Sequence, residues 1–208
     1  MAGPASRYDT CIEVCGRLEH PGLATDMPRW IDHTGLDTTV DQARIEDALE
    51  SMDLDGRRIL HVGVGNSRFA QRFAPRVRLV DGLTVCEAEK KLADSLHITN
   101  YTVHLLSKYS REFLVTIENR YDYIVDNNLA SFACCKYHFY RMLDNYLWCL
   151  RRGGRVLTDQ RGMDWTVEDD PRWRLTYADL VALAQRFPVE AAKVTDTVYE
   201  IRHGQAEA

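Results

Sequence analysis

From residue 57 to residue 203, short apolar runs that suit β-strands alternate with stretches whose apolar residues recur at helical spacing. This alternation constrains the chain more than any other feature. Strands are read at 57–62 (RRILHV), 77–83 (VRLVDGL), 102–106 (TVHLL), 121–127 (YDYIVDN) and 154–160 (GRVLTDQ). Helices are read between them at 67–74, 86–96, 111–120 and 136–151. The last carries Phe139, Met142, Leu143, Tyr146, Leu147 and Leu150 as one stripe and is expected to stop at Gly153-Gly154. Thr176-Tyr177-Ala178-Asp179 has the form of a capping box opening a helix to Phe187, and VEAAKVTDTVYEIRH reads as two strands around Thr195-Asp196. Apolar strands separated by helices imply a parallel sheet covered on both faces. Right-handed crossovers make it doubly wound, with a ligand expected at the carboxyl ends of its strands. The expected fold is α/β, a doubly wound and mostly parallel seven-stranded sheet closed by an antiparallel C-terminal hairpin.

Residues 1–56 read as an N-terminal helical or lid-forming extension, and 57–208 as the main domain. The extension holds a helix at 8–20, a loop at 20–38 rich in glycine, proline and aspartate, and a helix at 39–52 with Ile45, Ala48, Leu49 and Met52 on one side. The net charge of −5 over 208 residues disfavours nucleic acid, whose binders usually carry a basic surplus. No apolar run approaches a membrane span, and MAGPASRYDT lacks the cationic and apolar segments of a secretory signal, so a cytoplasmic location is expected. The six cysteines are irregularly spaced. Cys11 and Cys15 share a helix face without a second pair, and Cys134-Cys135 follow an apolar stretch. Buried reduced thiols and no metal site are the expectation.

The sharpest local feature is RRILHVGVGNSRFA at 57–70. Gly63 and Gly65 fall where a strand ends and a helix begins, where glycine permits a tight turn and close approach of a ligand to the backbone. Amides at such a helix start attract polar or anionic groups. A dinucleotide fingerprint needs a third small residue where Arg68 stands, and no G-x-x-x-x-G-K-[ST] occurs.

The stretch resembles the first motif of the class I S-adenosylmethionine (SAM) methyltransferases, a strand ending in an acid followed by G-x-G-x-G. Here His61 takes the acid's place, Gly63 and Gly65 are the leading glycines, and Ser67 stands at the third. The resemblance runs from residue 57 to 203 and follows the family's order of strands, the helix ending in RRGG and the final hairpin. It implies SAM as cofactor, held by the loop Gly63, Val64, Gly65, Asn66 and Ser67. It also implies that His61 cannot act as the anion that helps orient the loop and the cofactor's amino group. For the ribose, Asp81 is one candidate. GLTVCEAE at 82–89 is similar to the GLTLS-x-x-Q stretch of cyclopropane fatty-acid synthases, and by that match Thr84 and Glu89 approach the ribose or methionine part instead; Thr84 as a helix cap and Glu89 as a solvated charge are the alternatives. Ser107, Lys108 and Tyr109 follow the third strand, where the family reads the adenine.

The acceptor region of the family corresponds here to DNNLASFACCKYHFY at 126–140. Asp126 is a candidate proton acceptor or ligand of the methionine ammonium, with Asn127 beside it on the cofactor. Asn128 is a candidate catalytic group, and the alternative is that Asp126 and Asn128 cap the loop. His138 is the candidate general base, because an imidazole titrates near neutrality. The Trp30–His33 and Gly162–Trp173 loops could form a lid. Absence of N-P-P-Y and D-P-P-Y, with the acidic charge, favours a small-molecule acceptor, and a homodimer is compatible with the sequence. Two readings stay open beside methyl transfer to a small molecule: a methyltransferase-like binding or regulatory protein that does not methylate, and an RNA methyltransferase.

Overall fold

The structure is a computed structural model that describes residues 31–117, 120–166 and 173–204. Seven strands form one sheet: β1 (Arg58–Val62), β2 (Leu79–Thr84), β3 (Tyr101–Leu105), β4 (Tyr121–Asp126), β5 (Leu150–Asp159), β6 (Val189–Lys193) and β7 (Val198–His203). Their spatial order is β3-β2-β1-β4-β5-β7-β6. The first five run parallel, and β7 lies antiparallel to both β5 and β6. The chain order reverses between β1 and β4, so the crevice above these two strands is the expected ligand position of an open α/β sheet.

The helices are α1 (Val40–Glu50), α2 (Arg68–Phe73), α3 (Glu87–Ser95), α4 (Phe113–Thr116), α5 (Lys136–Cys149), α6 (Gln160–Met163) and α7 (Tyr177–Ala182). The expected strands and the hairpin are present, each within a few residues of its expected bounds. Thr176 and Asp179 form the capping box that opens α7. Three boundaries differ from expectation. The helix expected at 111–120 has only Phe113–Thr116 as α-helix among the described residues. The helix that α7 opens passes into a 3-10 turn at Leu183–Gln185 rather than running on as α-helix to Phe187. α5 ends at Cys149, and Leu150 enters β5 at once, pairing with Tyr121. Gly153 and Gly154 therefore lie inside β5, where the register shifts between Tyr121 and Tyr123. They serve a bulge: Gly153 has φ +78°, and a Cβ on Gly154 would stand 2.9 Å from the Tyr121 carbonyl. The helix expected at 8–20 lies outside the described residues.

Because side chains alternate across a strand, both faces of the sheet are buried. Leu60, Ile124 and Val156 face α5 and pack with Phe139, Leu143 and Tyr146. Ile59, Val125 and Leu157 face α1 and α2 and pack with Ile45, Leu49, Phe69 and Phe73. No helix among the described residues is long and apolar enough to cross a membrane.

Gly82 in β2 is a packing requirement. A Cβ there would stand 2.5 Å from Val64 Cγ1 and 3.0 Å from Val103 Cγ2. Gly82→Ala is expected to cost about 1–3 kcal/mol through overpacking. Chemical denaturation with unchanged m-value measures it, and an unaltered midpoint contradicts the packing described.

Candidate active site

The carboxyl ends of β1, β2 and β4 open into a cavity of about 630 Å³. Its floor is the turn after β1. Gly63 has φ +80° and Gly65 φ +48°, left-handed values that favour glycine. The Gly63 and Val64 amides both donate to the Leu83 carbonyl, at 2.9 and 3.2 Å, which folds the turn against the end of β2. Asn66 Nδ2 donates to the Leu36 carbonyl at 2.7 Å, tying the turn to the segment before α1. Gly63, Val64, Gly65 and Asn66 line the cavity; Ser67 does not. It is fully buried in a left-handed conformation at the start of α2, and its hydroxyl lies 3.2 Å from Tyr101 Oη.

His61 is 3 % exposed and stacked on Phe69, with ring centroids 4.1 Å apart. Neither ring nitrogen has a hydrogen-bond partner among the described residues, although the residue lines the cavity. Burial pushes its pKa down to about 3, so the ring is neutral at physiological pH. One ring nitrogen then carries a lone pair for a donor, and the other carries a proton.

The two residues read at the position of the ribose acid, Asp81 and Thr84, are separated by the period of the strand. Asp81 and Thr84 are three residues apart, so their side chains emerge on opposite faces of β2. Asp81 points away from the cavity and accepts a 2.6 Å hydrogen bond from Tyr121 Oη. Thr84 and Glu89 line the cavity together. Thr84 Oγ1 donates to Glu89 Oε2 at 2.5 Å, and the His33 amide donates to Glu89 Oε1 at 3.3 Å. Thr84 Oγ1 also accepts from the Cys86 amide. Glu89 is 1 % exposed, and burial raises its pKa despite these donors. It is thus a positioned carboxylate inside the cavity rather than a solvated helix charge.

On the β4 side, Asp126 Oδ2 accepts from Lys108 Nζ at 2.8 Å and from Tyr146 Oη at 2.9 Å. The other donors of Lys108 reach the carbonyls of Asn128 (2.8 Å) and Leu129 (3.0 Å). Lys108 therefore clasps the loop after β4, and burial lowers its pKa against the pull of Asp126. Ser107 and Tyr109 line the same wall. Tyr109 Oη donates to the Ser131 carbonyl at 2.9 Å, and Ser107 Oγ accepts from the Tyr109 amide. Asn127 donates through Nδ2 to Asp41, and Asn128 Nδ2 donates to the Gly162 carbonyl at 3.1 Å. Asp126, Asn127 and Asn128 all line the cavity.

His138 does not. It is 1 % exposed in the first turn of α5, with Nδ1 3.2 Å from the sulfurs of both Cys134 and Cys135. The expectation of a general base there is corrected: the helix directs this imidazole into the protein, away from the cavity. The part of the wall that α1 supplies was not legible in the sequence. Asp41 and Glu46 of α1 face inward, and Arg44 of the same helix makes a bidentate pair with the buried Asp159 at the end of β5. Phe132, Arg161 and Trp165 close the opposite side, and Phe132 packs on Trp165 at 5.5 Å. Of the two loops expected to form a lid, Ile31, His33 and Trp165 reach the cavity, while Trp30 and 167–172 lie outside the described residues.

No protein-family model matches the sequence, and no curated protein does. Solved structures do. A SAM-dependent methyltransferase from Clostridium acetobutylicum ATCC 824 superposes with a TM-score of 0.61 at 9% identity, over 80% of this chain and 93% of that one. The N-methyltransferase NodS from Bradyrhizobium japonicum WM9, solved with S-adenosyl-L-homocysteine (SAH), gives 0.59 at 12% identity over 82% and 91%. The sugar N-methyltransferase KedS8 from Streptoalloteichus sp ATCC 53650 gives 0.57 at 13% identity over 82% and 90%. The fold is that of the class I SAM-dependent methyltransferases. Within this methyltransferase fold, the cavity occupies the switch point between β1 and β4, and the glycine turn forms its floor.

Proposed function

We propose that the chain binds S-adenosylmethionine in this cavity and transfers its methyl group to a small molecule. The observation that carries the reading is the left-handed turn at Gly63–Gly65 with Glu89 and His61, which has no hydrogen-bond partner among the described residues, facing one cavity. These groups fit the cofactor. A buried carboxylate held by Thr84 and the His33 amide has lone pairs left for ribose hydroxyls. The neutral His61 ring accepts a hydrogen bond from an ammonium without supplying charge. The glycine turn offers backbone to the amino-acid end, and Ser107 and Tyr109 border the space beyond β3. When bound, the cofactor supplies an electrophilic methyl group on a sulfonium.

The chain's part is to position the acceptor and exclude water. Phe132 and Trp165 provide an apolar, aromatic wall, and Asn128 and Arg161 provide polar groups beside it. Asp126 is engaged by Lys108 and Tyr146, so its Oδ2 holds the clasp rather than standing free to take a proton. The acceptor favoured is one that reaches the cavity with its lone pair already available. The same engagement, with His61 in the acid's place, favours a second reading: a protein that binds SAM and does not methylate.

Calorimetry with SAM and SAH tests the cofactor. Binding in the micromolar range is expected, and Glu89→Gln should weaken it about tenfold to a hundredfold, the worth of hydrogen bonds to a charged group. No heat with either compound overturns the reading. Turnover of labelled SAM against an acceptor panel separates the two versions, because a methylated product excludes the inert one.

A further inference from the structure

Three side chains of metal-ligating type meet at the start of α5, outside the cavity. Cys134 and Cys135 immediately precede the helix, and His138 lies in its first turn. Both sulfurs stand 3.2 Å from His138 Nδ1, and the three atoms all lie within 4.8 Å of one another. The arrangement follows from C-C-x-x-H: the extended backbone of Cys135 turns its side chain toward the helix start, and spacings of three and four bring the imidazole back over it.

We propose that Cys134, Cys135 and His138 bind a thiophilic divalent cation of the zinc class. Two thiolates and an imidazole are the donor set such ions prefer. Tetrahedral bonds of about 2.3 Å to sulfur and about 2.0 Å to nitrogen separate the ligand atoms by roughly 3.5 Å, so the site closes on an ion by opening a few tenths of an ångström. Two thiolates cancel a divalent charge, which suits a site where His138 and Cys135 are buried. The fourteen-residue α5 aims the positive end of its dipole at the same sulfurs. Cys134 is only half-buried, so the ion has an entry side, and no fourth acidic, cysteine or histidine ligand joins the set among the described residues. A water completes the coordination from that side. The bound ion would anchor the loop that carries Ser131 and Phe132 into the cavity wall, joining the Trp173 Nε1 bond to the Ala133 carbonyl in that task.

The full-length protein, stripped with a chelator under reducing conditions, is titrated with cobalt(II) and then with zinc. One equivalent of cobalt should give a thiolate-to-metal charge-transfer band and the strong visible absorption of a tetrahedral ion, both lost on adding zinc. Cys134→Ser and His138→Asn should each weaken binding more than about 100-fold, since these are direct ligands. Cys86→Ser and the double variant C11S/C15S should leave it unchanged. Circular dichroism checks each fold, and the half-exposed Cys134 carries the test if the His138 variant does not fold. Absence of the charge-transfer band, its survival in Cys134→Ser or its loss in C11S/C15S overturns the site and leaves a thiol–imidazole hydrogen-bond network. None of these readouts depends on methyl transfer.

Discussion

Lys108→Ala is expected to cost the fold about 3–5 kcal/mol, the usual result of stripping one partner from a buried ion pair. The side chains of Lys108 and Asp126 are 10 % and 3 % exposed, and their contact is 2.8 Å. Removing the ammonium leaves a nearly buried carboxylate without its counter-charge, and frees the carbonyls of Asn128 and Leu129 that the same nitrogen satisfies. Among the described residues, Tyr146 then remains on Asp126 Oδ2. The loss appears as a fall in the urea midpoint. The double variant K108M/D126N, which has no buried charge, should recover a large part of it, because the cost lies in the unpaired charge more than in the missing bond. A Lys108→Ala midpoint within about 1 kcal/mol of the parent would mean that solvent reaches the pair.

The second large effect is acid destabilisation through His61. Its folded pKa of about 3 lies below the ordinary histidine value of 6.5 because burial penalises the charged ring. A depressed folded pKa means that the unfolded chain binds the proton more readily. The stability is therefore whole above pH 6.5 and is lost as pH falls from there toward 3, at about 1.4 kcal/mol per pH unit. The full interval is worth roughly 4–5 kcal/mol for this one ring. Denaturant midpoints measured from pH 7 to pH 5 should fall for the parent and flatten in His61→Gln. Absolute stabilities of the two proteins can differ without affecting the comparison, since the slope is what the imidazole contributes. Parallel pH profiles would show that His61 is not buried as a neutral ring. Half-buried His104, whose pKa burial also lowers, contributes equally to both proteins.

The glycine turn shows how far residue order reaches. Gly63 and Gly65 between an apolar strand and a helical pattern could be placed because a tight left-handed turn has few chemical solutions. The seven strands and the terminal hairpin were legible for a related reason: apolar runs buried on both faces leave a strong local pattern. Gly153-Gly154 misled, because a glycine pair marks a helix end and a strand bulge equally well. Only the pairing of Leu150 with Tyr121 distinguishes them. His138 misled by composition, since a histidine's chemistry says nothing about which way its helix faces. The adjacent cysteines and His138 could be noticed separately, yet their convergence is a matter of helix geometry.

What the linear order of residues determined is the alternation of strand and helix, the place of the turn after β1 and the absence of the family's acid at His61. These are local properties, fixed by side-chain size, polarity and backbone freedom over a few neighbours. Tertiary structure decided which of Asp81 and Thr84 faces the cavity, that Lys108 and Asp126 pair with each other, and that Asp41, Glu46 and Glu89 line the same cavity. Each of those depends on contacts between segments that are distant in the chain, where strand parity, helix rotation and the loss of water set a charged group's neighbours and its ionisation together.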